Sequence, residues 1–326
     1  MSNFKKVILC LASATLVYGT GAVQAQVQAY PQKGSTIRLV VPFSAGSGTD
    51  VMTRALIEDV QKSLDGATVL IENRPGANGA VASEMVAKSA PDGQTLLLVT
   101  SSAFSANPWL MKKINYDPTK DFTPIIRTTD FPFILVVSGT SPIKTIEDLL
   151  KQAQSGKKLA LGYGNATGQV ANAHLMKAAK FEALSVPYKS TPPAMVDLIG
   201  GQFDAMFVDM ASSQSLIKQG RLRPLAVMAD RRSKLMPNLP ALGETFPGFS
   251  YVAWGGLVGP AGLKPDVVTK LYSVFAASLN KPEVIKRFEE LGLDPFPSTT
   301  AEFAKFIVDQ KLAWGEKVKD AGMQPE

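Results

Sequence analysis

The chain has 326 residues, 45% of them hydrophobic and 19% charged, with 34 Lys and Arg against 28 Asp and Glu. This is an ordinary globular composition of a length that suggests two domains. No Lys/Arg run resembles a nucleic-acid stripe, so no nucleic-acid partner is expected, and one Cys with one His excludes thiolate and imidazole metal clusters.

The N-terminus sets the compartment. Lys5 and Lys6 precede an apolar run from Val7 to Val17, and Val23-Gln24-Ala25 supplies small residues at a cleavage site. Residues 1–25 therefore read as a secretory signal peptide, cut near Ala25, that sends the protein to the periplasm. The run is too short for the roughly 20 residues of a membrane span. Cys10 lies inside it, so the mature chain carries no cysteine. Removing Lys5 and Lys6 leaves 32 basic residues against 28 acidic, a net +4, which suits a small anionic ligand without requiring one.

Strand-like apolar runs then alternate with amphipathic segments. Ile37 to Phe43 reads as a strand and Thr49 to Leu64 as a helix, with Met52, Leu56, Val60 and Leu64 four apart on one face. Val69 to Ile71 and Leu96 to Val99 read as strands around a helix from Ala80 to Lys88. A second block repeats the order, with strands at Phe133 to Val137, Leu159 to Tyr163, Ala205 to Val208 and Leu225 to Met228. Its helices fall at Ile146 to Gln154, Gln169 to Lys180, Pro193 to Ile199 and Ser212 to Gln219. The end is helical, with Pro265 opening one segment and Thr299/Glu302 forming a capping-box pattern ahead of Phe303. The result is an α/β fold of two lobes, each a mostly parallel sheet flanked by helices. Stretches near Pro124 to Pro132 and Phe246 to Gly255 serve as crossings, so lobe 1 comprises 26–126 plus 250–326 and lobe 2 comprises 127–249.

The segment Phe43-Ser44-Ala45-Gly46-Ser47-Gly48-Thr49-Asp50 joins a strand to a helix through small residues. Its glycines admit close backbone approach, and the N–H groups and dipole of the helix start form an anion site at the carboxyl end of a strand. The alternative is a tight turn capped by Ser47 or Thr49. It is no nucleotide loop, because Thr49-Asp50 stands where a Lys would be needed. Gly164-Asn165-Ala166-Thr167-Gly168 offers the same kind of amides from the second lobe, and Ser101 and Ser102 follow the strand ending at Thr100; each also fits a turn. Asp50 either bonds back to loop amides or reads a ligand group. Asp209 either reaches the cleft or caps a helix. The sole histidine, His174, fits a packed helix residue better than a base. No Gly-x-Ser-x-Gly elbow and no ligand cluster is present, so neither a catalytic residue nor a metal or other cofactor is expected.

These segments, with Glu72-Asn73-Arg74-Pro75-Gly76, Ala90-Pro91-Asp92-Gly93, Val186-Pro187-Tyr188-Lys189, Asp197-Leu198-Ile199-Gly200-Gly201-Gln202, Arg223-Pro224-Leu225 and Trp254-Gly255-Gly256-Leu257, resemble the substrate-binding receptors of tripartite tricarboxylate transporters, the Bug or TctC proteins. The resemblance runs in order through the mature chain. It implies a two-lobed, type II periplasmic-binding-protein fold that closes on a small carboxylate (a mono-, di- or tricarboxylate, aromatic acid or amino acid), passes it to the membrane permease subunits and works as a monomer. It also implies that the acid group meets Phe43 to Asp50 with Ser101 and Ser102, and that the other end of the ligand faces Gly164 to Gly168 and Asp209. Two departures stand out: Gly46-Ser47 where the family carries a Gly pair, and Gly164-Asn165 where it is commonly Ser-rich. A secreted α/β hydrolase and a ligand-sensing partner of a signalling ectodomain are the alternatives.

Overall fold

The computed structural model describes residues 30–233 and 236–326; the expected signal peptide lies outside them. The strands, in chain order, are β1 (Thr36–Val41), β2 (Thr68–Asn73), β3 (Thr95–Thr100), β4 (Phe122–Asp130), β5 (Phe133–Ser138), β6 (Leu159–Tyr163), β7 (Ala183–Pro187), β8 (Ala205–Asp209), β9 (Leu222–Val227), β10 (Trp254–Pro260) and β11 (Asp294–Pro295). They form one six-stranded sheet, β11-β4-β10-β3-β1-β2, and one five-stranded sheet, β7-β6-β8-β5-β9. Every second side chain of a strand faces the same side, yet both faces here are apolar because both are covered. In the first sheet, Leu97, Val99 and Val258 pack with Phe303 and Ile307 of the C-terminal helix. Leu96, Leu98 and Leu257 on the opposite face meet Met52, Leu56 and Leu271. Alternation is thus hidden in the sequence, and a continuous apolar run is what remains.

Most strands of each sheet run the same way, as expected, but each sheet carries a reversed strand among them. β1 pairs in parallel with β2 and β3, and β6 with β7 and β8, but β10 is antiparallel to β3 and β4, and β5 to β8 and β9. The reversal follows from the path of the chain. β4 ends at the cleft, the chain steps across at Phe131-Pro132, and β5 must therefore start from the cleft and run away from it. β10 returns the same way after Ala253. Hydrophobic pattern reports burial and not direction, so sequence alone missed both. β4 continues to Asp130 in the first sheet, four residues beyond the expected 126/127 boundary.

Helix starts come where the sequence signals them, within a few residues. Helix Gly48–Val60 is capped by Ser47, whose Oγ accepts the Asp50 N–H at 3.4 Å, and ends sooner than expected in a tighter turn at Gln61–Ser63. Helix Ala166–Ala178 begins three residues earlier than its apolar pattern suggested, because Asn165 Oδ1 accepts the Gly168 N–H at 2.9 Å and fixes the first turn. Thr299 and Glu302 form the reciprocal capping box, Glu302 N–H to Thr299 Oγ1 at 3.2 Å and Thr299 N–H to Glu302 Oε2 at 2.8 Å, ahead of helix Thr300–Asp320.

Candidate functional site

Strands β1, β3, β4, β6 and β8 bring their carboxyl ends to one cavity, and β5 and β10 bring their starts. The cavity is lined by residues of both lobes, as small-ligand sites between domains commonly are. The first lobe contributes Phe43, Ser47, Gly48, Thr49, Thr100, Ser101 and Ser102, and the second Asn165, Thr167, Thr191 and Asp209. The crossing segments supply Phe131, Phe133, Ala253 and Trp254 as its floor. Four helices of nine or more residues, Gly48–Val60, Ala166–Ala178, Thr191–Ile199 and Met210–Lys218, begin at this wall. The first N–H groups of a helix have no acceptor inside it, and the four dipoles add a positive potential with no basic side chain among the lining residues. The hydroxyl Oγ1 of Thr100, only 5% exposed, has no hydrogen-bond partner among the described residues.

The first loop is rigidly held. Gly46 adopts φ +80°, a region that disfavours any Cβ, and donates its N–H to Asp50 Oδ2 at 2.9 Å. The Asp50 carboxylate also accepts from Arg54 Nε and Nη2, both at 3.0 Å, and from Asn73 Nδ2 at 2.9 Å. Asn73 Nδ2 in addition donates to the Phe43 carbonyl at 2.9 Å. Asp50 is therefore turned into the loop and positions it, rather than standing in the cavity. Burial acts to raise its pKa, but the hydrogen bonds from Arg54, Gly46 and Asn73, with the Arg54 charge, outweigh burial and hold the carboxyl below its usual value.

The two walls touch. Ser44 N–H donates to Ser190 Oγ at 3.2 Å, and the Ser101 and Thr167 hydroxyls lie 3.5 Å apart. A Cβ built on Gly48 would fall 2.0 Å from Asp209 Oδ1. This is a closed cleft. Ala45 and Gly46 are exposed at its mouth. Gly164, Ala166 and Gly168 lie outside the lining and shape the second loop; Gly164 presses on the Ser190-Thr191 backbone, where a Cβ would meet Thr191 N at 2.3 Å.

Sequence reasoning missed Thr100, Phe131, Phe133, Ser190, Thr191, Ala253 and Trp254. For Ser190 and Thr191 a signal was present, since Ser190-Thr191-Pro192-Pro193 is a Ser/Thr cap followed by Pro in the first turn. The floor aromatics carry no such mark, being indistinguishable from core. Asn73 was visible only as part of a motif.

Asp209 ends β8 and caps helix Met210–Lys218, its Oδ1 accepting the Ser212 N–H at 2.9 Å. Burial pushes its carboxyl up, against the opposing hydrogen bonds from Ser212. A raised folded pKa means that the native state holds the proton more tightly than the unfolded chain does, so stability falls as pH rises from the unfolded value through the folded one. Asp209→Asn should therefore raise the melting temperature of the unliganded protein at pH 7, with the gain shrinking toward zero near the unfolded carboxyl pKa of 3.8. Melting curves across pH check this; a gain independent of pH would contradict it.

His174 sits outside the cavity. Its ring stacks on Phe249 with centroids 4.5 Å apart, and its Nδ1 bonds the Tyr251 hydroxyl. Burial, then Lys317, lowers its pKa. His174→Ala should change ligand affinity by less than about fivefold while costing about 1–3 kcal/mol of stability through the lost stack and the orphaned hydroxyl. Calorimetry and denaturant unfolding of the variant measure the two effects separately. Among the described residues no group of three or more His, Cys, Asp or Glu could hold a metal, and no lining residue pairs a nucleophile with a base.

Residues 52–323 match the sequence profile of the tripartite tricarboxylate transporter family receptor, TctC. The chain belongs to the TctC family. It is 32% identical over 317 residues to protein BugT of Bordetella pertussis, covering 96% of this chain and 97% of BugT. Among solved structures it is similar to the periplasmic binding protein BugD, with a TM-score of 0.86 and 31% identity over 91% of this chain and 100% of that one. MatC from Rhodopseudomonas palustris, solved with bound malate, gives a TM-score of 0.82 and 29% identity over 87% and 99% of the two chains. The TctC chain described here is thus a two-lobed solute-binding receptor.

Proposed function

We propose that this receptor is exported to the periplasm by residues 1–25, captures a small carboxylate between its lobes and presents it to the membrane subunits of a tripartite tricarboxylate transporter, without chemical conversion. One observation carries the reading: four helix starts converge on a closed cavity that has no basic side chain. Preorganised amides hold a carboxylate well once water is excluded, and closure of the cleft supplies that exclusion. Micromolar affinity requires about 8 kcal/mol. Three or four charge-assisted hydrogen bonds, each about 1.5–3 kcal/mol, meet it without an arginine. Export is supported by the basic, apolar and small-residue order of the first 25 residues. The lobe division is supported by the two sheets, which exchange chain at Phe131-Pro132 and just before Trp254.

The experiment is a thermal-shift panel of mono-, di- and tricarboxylates, aromatic acids and amino acids, followed by calorimetry of the hits. A ligand that binds only the native state at a hundred times its Kd adds about 2.7 kcal/mol and lifts the melting temperature by several degrees. No shift with any acid would end the proposal. Conversion of a bound acid during prolonged incubation would favour the hydrolase alternative.

A further inference from the structure

One ionisable side chain lines the cavity, and its sign is opposite to what an acid-binding site calls for. Asp209 is 5% exposed and no ion pair among the described residues reaches it. Isolation of this kind is expensive for a carboxylate, which in a dry interior needs a cation or a proton. Capping the helix Met210–Lys218 explains Oδ1 and its bond from Ser212. A cap does not require that the side chain also be sealed at the ligand wall, where a serine or asparagine would serve as well. Across the cleft lies the opposite kind of group. The Asp209 carboxylate is packed against Gly48, whose N–H opens the first helix and so has no acceptor inside it. The buried, unpartnered Thr100 hydroxyl lines the same cavity. A single small volume thus offers anion-binding amides and a lone carboxylate side by side.

We propose that the cargo is an α-amino acid, with its carboxylate on the amides that open the first helix and its ammonium donating to Asp209. The proposal rests on the carboxylate-receptor reading above and narrows it. A zwitterion matches both features at once: its acid meets the helix dipole, and its cation meets the charge that burial has left without a partner. A dicarboxylate would bring a second anion into the same space with no Lys, Arg or His to receive it. Adjacency matters too. Because Gly48 and Asp209 are in contact, the ligand's charges must sit on neighbouring atoms, which favours an α-amino group over a distant one.

Calorimetry with matched pairs tests this: L-aspartate against succinate, L-glutamate against glutarate, and L-leucine against 4-methylpentanoate. In the pair that suits the cavity, the amino acid should bind at least about a hundredfold more tightly than its partner, as a desolvated charge pair implies. In Asp209→Asn that preference should shrink to about fivefold or less. Asparagine preserves the cap, so a cooperative melting transition at or above the parent's temperature will show that the variant is folded. Equal or tighter binding of the amine-free acids, or a preference unchanged in Asp209→Asn, overturns the assignment while leaving the receptor reading in place. Failure of every acid in these pairs and in the wider panel sinks both.

Discussion

Gly48→Ala should reduce ligand affinity at least about a hundredfold while leaving the protein folded, because the lobes can no longer close. Alanine is already too large. Its Cβ would fall 2.0 Å from Asp209 Oδ1 and 2.5 Å from the carboxyl carbon, far inside the roughly 3.5–4.0 Å at which non-bonded atoms rest. Asp209 cannot turn aside freely, since it is buried and its Oδ1 is tied to Ser212 N–H. Within its own lobe, however, residue 48 opens a helix with ordinary backbone angles, so the clash exists only between lobes. Opening the cleft relieves it. The predicted signature is therefore a large loss of affinity, a melting temperature within a few degrees of the parent, and a larger radius of gyration by solution scattering in the presence of saturating ligand. A substituted protein that binds normally would show that the cleft does not close at this contact.

Asp50→Ala should be damaging in both respects. The carboxylate collects the Gly46 N–H, two nitrogens of Arg54 and the Asn73 amide. Its removal takes the acceptor from the half-buried Asn73 amide, while the exposed Gly46 N–H and Arg54 guanidinium turn to water, so a loss of about 1–2 kcal/mol in unfolding free energy is expected. Gly46 then loses the bond that holds its left-handed turn, and the amides of Gly48 and Thr49 lose their alignment. Affinity should fall more than about tenfold, since binding by amides depends on their being fixed beforehand. Acid titration separates the electrostatic part. The folded pKa of Asp50 is lowered, so its contribution is complete above the unfolded value of 3.8 and fades as pH falls through the folded value. Urea unfolding at pH 7 and at pH 3 should therefore give a smaller difference between parent and Asp50→Ala at the lower pH. A constant difference would assign the effect to packing alone.

Much of this architecture was legible because its signals are local. The Thr299/Glu302 box, the Pro265 helix start and the four-residue spacing from Met52 to Leu64 each describe a few neighbouring residues. The first loop was legible for the same reason, as a strand end, small residues and a cap in eight positions. What escaped was everything decided at a distance. Strand direction in β5 and β10 depends on which side of the cleft the chain arrives from. Phe131 and Phe133 look like any buried aromatic until the second lobe makes them the floor of a cavity. Asp50 and Asp209 have similar sequence surroundings, each at the start of a helix after a strand, yet one is consumed by Arg54 and Asn73 and the other meets only Ser212. Only their spatial partners tell them apart.

The convergence of helix starts has a bearing on how such a receptor changes its diet. On the proposed reading the acid handle is held by main-chain nitrogen, which every amino acid except proline supplies, so most codon changes around the cleft leave that handle gripped. The same reading leaves preference for the remainder of the cargo to a few lining side chains, Asp209, Asn165, Thr191 and Phe131 among them, each replaceable without dismantling the grip. A lineage with this division of labour can be retuned to new nutrients one substitution at a time, never passing through a form that binds nothing.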